Sequence, residues 1–228
     1  MDLDFAVCVN SIKEWEVLYK MMCDHHDFKA DRHQTQRLWH SSGIPVDVVP
    51  FGEISGSFKR FTWGDDDGFE MSVLGFDEAY DSALSFLIND EFTILVAGYA
   101  EQCGLKLLAW ADRHQRRVTE DARDIAYLIQ HAEEWYGEEA LHDHYSHVLE
   151  NVDYDIELAA AFVLGCDLHS IYESETLDVL IGILDQALNQ PEESILIRDI
   201  AREIRTMDPE ERTMNLLEQI RLGMDAGL

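Results

Sequence analysis

Three aspartates stand where they could do metal chemistry. Asp2 and Asp4 are two residues apart in a strand-like segment, so their side chains point to one face while Leu3 turns to the other. Two carboxylates held that close repel each other unless a cation lies between them. Magnesium suits such a pair, because it takes oxygen ligands and keeps waters for substrate phosphates. Asp47 lies inside Val46-Asp-Val-Val, a short apolar strand where a buried, unpaired charge is costly. Its place there makes sense if this strand lies beside the first and adds a third carboxylate. Three carboxylates could hold two magnesium ions for an in-line phosphoryl or nucleotidyl displacement. A DxD is common in acidic chains and is also compatible with a solvated strand end. On the metal reading, repulsion dominates without metal, so Asp47→Asn is expected to preserve or raise stability in metal-free buffer.

Other residue types invite chemistry less directly. Lys106 lies between Leu105 and Leu107 on an apolar helix, so it must either snorkel to water or meet an anion. Arg113, Arg116 and Arg117, with His114 among them, make the one concentrated cationic stretch. His142, His144 and His147 are possible metal ligands, with 144 and 147 on one helix face. The neighbouring Asp143 and Glu150 favour a solvated acidic surface instead. No G-x-x-x-x-G-K-[ST] phosphate loop is present, and no G-x-S-x-G elbow, which argues against P-loop and serine-hydrolase chemistry.

The elements that must position these residues follow from patterning. Leu3 to Val9 reads as a strand, and Asn10-Ser11 caps a helix from Ile12 to about Cys23. Gln36 to His40 and Val46 to Val49 read as strands, the latter ended by Pro50 and Gly52. Phe58 to Trp63 and Met71 to Leu74 add edge strands around a turn at Asp65 to Gly68. Asp77 to about Leu87 is expected to be helical, Phe92 to Val96 a strand, and Ala100 to about Asp112 a helix. Thr119 to Trp135 has helical spacing, and all that follows reads as helix, with breaks near Asn151, Gly165, Asn189-Gln190-Pro191 and Asp208-Pro209. The expected fold is α/β (α+β). A mixed sheet flanked by helices occupies roughly residues 1–115, and an all-helical region of residues 116–228 packs against it.

The bulk composition bounds the partners. A chain of 228 residues with 46% apolar content can bury a core. Its net charge of −29 repels nucleic-acid backbones and anionic membranes on average. There is no apolar run of about 18 residues and no basic, apolar leader, so the expected location is the cytoplasm, with no membrane partner. Cysteines 8, 23, 103 and 166 are scattered and expected to be reduced thiols, mostly in or near the core.

Several local sequences, in order, resemble one family. Met1-Asp-Leu-Asp-Phe-Ala-Val resembles the D-[LI]-D-F-A segment of the AbiEii-like nucleotidyltransferases, a group that includes toxins of type IV toxin–antitoxin systems. Val46-Asp-Val-Val-Pro-Phe-Gly, Met71-Ser-Val-Leu-Gly-Phe-Asp-Glu-Ala, Leu105-Lys-Leu-Leu-Ala-Trp-Ala-Asp-Arg and Glu120-Asp-Ala-Arg-Asp-Ile resemble later segments of that family in the same order, across about residues 1–130. His33 and Arg37 resemble its polar H-x-x-x-R-L stretch. The resemblance implies a polymerase-β-like nucleotidyltransferase fold and transfer of a nucleotide from an NTP. Asp2, Asp4 and Asp47 would be the magnesium ligands, and Lys106 would contact phosphate. Arg113 would assist nucleotide binding, and Asp121 and Asp124 would line the site. The acceptor would be RNA, protein or a small molecule, and a cognate antitoxin would be a partner.

Two departures support a different class. The family carries a Gly-Gly-[ST] or Gly-Ser phosphate-gripping motif before the DxD, and this sequence starts one residue before its DxD. Glu120 stands where the family prefers lysine. The alternative expectation is a catalytically incomplete paralogue acting as a binding or regulatory module.

Overall fold

The computed structural model describes residues 3–63, 69–89, 91–116 and 120–227, with backbone alone for Phe69 and Arg116. The chain is mixed α/β, with a mixed sheet near its N-terminus and a helical C-terminal region. It divides into two compact units, Met1–Asp77 and Glu78–Leu228. The expected α/β part therefore covers the first unit and the beginning of the second.

In the first unit, β1 (Leu3–Cys8) leads into α1 (Ile12–His25). The helix starts where Ser11 accepts the Glu14 N–H, while the Glu14 carboxylate accepts the Asn10 N–H at 2.8 Å. This is a capping box shifted by one residue. The strands β2 (Phe28–Ala30), β3 (Arg37–His40) and β4 (Pro45–Phe51) complete a sheet of order β1-β4-β3-β2. Only β1 and β4 run parallel. The fourth strand runs past Pro50, which was expected to end it. Because β3 pairs only with Pro45 to Asp47, the ladder has a free side at Pro50 and the missing N–H is tolerated there.

One face of this sheet is apolar and packs on α1. Its core joins Trp15, Leu38, Val46 and Val48 with Phe61 and Trp63. Trp15, Phe61 and Trp63 meet edge to face, the last two with centroids 4.8 Å apart. Phe61 and Trp63 come from β5 (Arg60–Trp63), which pairs with β6 (Phe69–Ser72) as a separate ribbon. The turn expected at Asp65 to Gly68 lies outside the described residues.

The region from Asp77 to Leu87 departs from expectation. The helix α2 covers only Phe76–Asp81, and β7 (Leu84–Ile88) pairs antiparallel with β8 (Phe92–Val96). Leu84, Phe86 and Ile88 alternate with period two, and an available partner strand decided their conformation.

The second unit is built on helices. After α3 (Tyr99–Arg113) come α4 (Glu120–Gln130), α5 (Ala132–Tyr136), α6 (Glu138–His144) and α7 (Ser146–Asn151). These are followed by α8 (Ile156–Ile171), α9 (Ser174–Asn189), α10 (Ile195–Ala201) and α11 (Pro209–Ala226). The Thr119 to Trp135 pattern is thus two helices, interrupted at His131. His144 closes α6 and His147 lies on α7, so the two do not share a helix face as expected.

The helix α8 buries residues on every side, as a central helix must. Gly165, expected to break it, lies in its interior instead. A Cβ on Gly165 would lie 2.0 Å from the Ile220 carbonyl oxygen, and one on Gly223 would lie 2.0 Å from that of Phe162. The two glycines let α8 and α11 cross in backbone contact, which is why a helix breaker sits mid-helix. Arg212 of α11 fastens the start of α8, donating to Asp155 at 2.5 and 2.9 Å and to Glu157 at 3.2 Å from its Nε. Those hydrogen bonds hold the Asp155 carboxyl below its ordinary range. No helix among the described residues is long and apolar enough to cross a membrane.

The close crossing sets a strong expectation. Gly165→Ala forces the two helices apart and lowers stability by about 1–3 kcal/mol or more. Gly182→Ala, with nothing within 4 Å of the added Cβ, leaves stability unchanged or raises it slightly. Denaturant midpoints of the two variants measure the difference.

Candidate functional site

The register of the first sheet brings together residues far apart in sequence. Asp4 of β1 is the Cα partner of Asp47 on β4, and Asp47 is the partner of Arg37 on β3. Directly paired residues share a face, so Asp4, Asp47 and Arg37 form a row across three strands. Leu3, Phe5, Val46 and Val48 point to the opposite, apolar face. Asp2 lies outside the described residues.

Asp47 is gripped by Arg37. The guanidinium donates from Nε to Oδ1 at 2.7 Å and from Nη2 to Oδ2 at 2.9 Å, a bidentate fork. Both side chains are largely buried, at 21% and 16% exposure. The cost of a carboxylate among valines is therefore met by a cation on the neighbouring strand. This reverses the expected effect of Asp47→Asn, since removing the carboxylate strips Arg37 of its partner rather than relieving repulsion.

A second aspartate fixes Arg37 indirectly. Asp31, in the loop between β2 and β3, accepts the His33 N–H at 2.7 Å, the Gln34 N–H at 3.0 Å and the Trp39 indole N–H at 2.8 Å. These hydrogen bonds, led by that of Trp39, lower its carboxyl to about 2. Its own N–H donates to the Arg37 carbonyl at 2.9 Å, so the loop is pinned to the residue that pairs Asp47. Sequence reasoning did not single out Asp31. The signal was an aspartate followed at two and three residues by amides able to close an Asx turn.

The four nucleotide-binding candidates all lie in the second unit, where α3 meets α4. Lys106 and Arg113, two turns apart on α3, face Asp121 and Asp124, one turn apart on α4. Lys106 Nζ donates to Asp124 at 2.6 Å, and Arg113 Nη2 donates to Asp121 at 2.5 Å. Asp121 is 1% exposed, and its Oδ2 has no hydrogen-bond partner, nor does the buried Nε of Arg113. Burial pushes the Asp121 carboxyl above its ordinary range, against the pull of Arg113 and Lys106. Glu120 is exposed at the first turn of α4. Arg117 and the side chain of Arg116 lie outside the described residues.

The donor chemistry of Asp4 and Asp47 suits magnesium, but both Asp47 oxygens are engaged by Arg37. Among the described residues no three or more His, Cys, Asp or Glu side chains converge as a metal site. Cys103 and Cys166 are buried, Cys23 is half-buried and Cys8 exposed, and none of the four is in a disulfide. Burial raises Cys103 to about 12, so it is inert as a nucleophile. No protein-family model, curated protein or solved structure matches the chain.

Two measurements check these pairings. Asp47→Asn and Arg37→Ala each destabilise the metal-free protein by about 1–3 kcal/mol, and a double-mutant cycle returns a favourable coupling between them. Asp121 has a raised folded-state pKa, so its contribution is full below the unfolded pKa of about 4 and is lost as pH rises through the folded value. Asp121→Asn therefore gains in melting temperature relative to the parent as pH is raised from about 4 to 7.

Proposed function

We propose that this protein is a magnesium-dependent nucleotidyltransferase of the AbiEii-like type. It transfers a nucleotide from an NTP to an RNA end, a protein or a small-molecule acceptor in the cytoplasm. The observation that carries the reading is the register of β1 on β4, which sets Asp4 beside Asp47 on one face of the sheet. The ordered sequence resemblances across residues 1–130 support it.

In this reading Asp4 and Asp47, joined by Asp2, supply the carboxylate oxygens for the cation. Magnesium, when bound, supplies charge neutralisation for the phosphates and acidifies the acceptor hydroxyl. Arg37 holds the Asp47 carboxylate in a fixed plane and shares its charge. Lys106 is the phosphate contact and Arg113 assists it. Asp121 and Asp124 hold those cations extended on α3, so that they do not collapse onto other carboxylates of this acidic chain. A cognate antitoxin is the partner expected of a toxin-type enzyme.

A specific observation favours a second reading, that of a catalytically incomplete paralogue that binds nucleotide or a partner. Both oxygens of Asp47 are already satisfied by Arg37, and Lys106 and Arg113 by their aspartates. Ligand binding has to compete with these pairs.

Incubation of the full chain with α-labelled NTPs and magnesium separates the readings. Label retained on the protein only with magnesium, lost at least about tenfold in Asp4→Asn and in Lys106→Ala, and passed to added RNA or protein supports the enzyme. Magnesium-dependent binding without transfer supports the binding module. A folded chain that retains no nucleotide sinks the enzyme.

A further inference from the structure

The strands β7 and β8 make a hairpin unlike the rest of the chain. None of its ten strand residues is charged, in a sequence that is 28% charged. Leu84 pairs with Val96, Phe86 with Ile94 and Ile88 with Phe92, so six apolar side chains share one face. Leu87 and Leu95 lie on the other face, with Ser85 and Thr93. Leu84, Phe86, Phe92 and Leu87 are 42%, 46%, 54% and 62% exposed, so among the described residues both faces keep exposed apolar side chains. Asn89 takes φ +51° in the connecting turn, a left-handed conformation that asparagine tolerates.

A two-stranded hairpin is marginal in water without something packed on it. At roughly 200 Å² per large apolar residue, the six-residue face offers about 500 Å² of uncovered surface. A contiguous patch of that size marks a contact site.

We propose that this face is the interface of a homodimer, in which a second copy lays its own β7–β8 face against it about a two-fold axis. Such an interface must be self-complementary, and an apolar face without charge or hydrogen-bond pattern meets its own copy without mismatch. Charge points the same way. Each copy carries −29, so two copies approach with least repulsion through uncharged strands. The same charge opposes docking on an anionic membrane. Two faces together bury about 1,000 Å², about the least that a specific interface needs.

Sedimentation velocity of the full chain over about 1–100 µM tests the proposal. The expected result is a dimer that tightens as salt is raised, because salt screens the repulsion between copies. Phe86→Glu with Phe92→Glu weakens it at least about tenfold, while Phe58→Glu, at an exposed position in the first unit, leaves it intact. Circular dichroism melts establish that each variant is folded. Amide exchange supplies a readout that needs no variant: protection of residues 84–88 and 92–96 rises with concentration of the parent chain. A parent that stays monomeric across the range overturns the proposal, as does a dimer that survives the double substitution. Monomers whose hairpin instead holds another protein or anionic vesicles overturn it equally.

Discussion

A carboxylate set among the valines of β4 has to be neutralised within reach of its own side chain, and the candidate site follows from that constraint. Arg37 neutralises Asp47 from the next strand with two short hydrogen bonds. To do so it must sit at one register position, and that position is fixed twice: by the β3–β4 ladder and by the loop clamped on Asp31. On the other side, the parallel ladder sets Asp4 next to the same carboxylate. The apolar residues between these polar ones turn to the α1 side and make the core. One face of the sheet thus provides stability while the other provides charge.

The second unit repeats this economy with helices. Lys106 and Arg113 rise from a helix that buries Cys103, Leu107 and Trp110, and each ends on an aspartate of α4. The exception is Asp121, which is sealed in with one oxygen unmatched. Structural ion pairs rarely leave a buried carboxylate half satisfied. Burial is the common cause of that unmatched oxygen and of the raised Asp121 carboxyl.

The fold class was readable because β1, β4 and α1 are written in strong local patterns: an apolar strand run, a second one with a single charge, and a cap followed by helical spacing. Where the sequence misled, long-range packing decided. Leu84 to Leu87 passes for a helix end until β8 offers a partner. Gly165 passes for a break until Gly223 meets it across the α8–α11 crossing. The same holds at the site. The cost of burying Asp47 was legible from its neighbours, and so was the need of Lys106 for an anion. The identity of Asp47's partner was not, because Arg37 lies ten residues away and only the strand register joins them. The sequence marks Arg37 by its resemblance to a polar stretch, not by its pairing. The row of Asp4, Asp47 and Arg37 is a property of the sheet, not of any segment.

The place of β1 in that sheet has a dynamic consequence. It is an outer strand, joined to the sheet through β4 alone, and it keeps Leu3 and Phe5 substantially exposed. The β4 strand, by contrast, is buried between neighbours and is held by the tryptophan core. Local opening of the Leu3–Phe5 end of β1 would leave the Arg37–Asp47 fork standing. Asp4 would leave with its strand, so its place beside Asp47 depends on a single ladder.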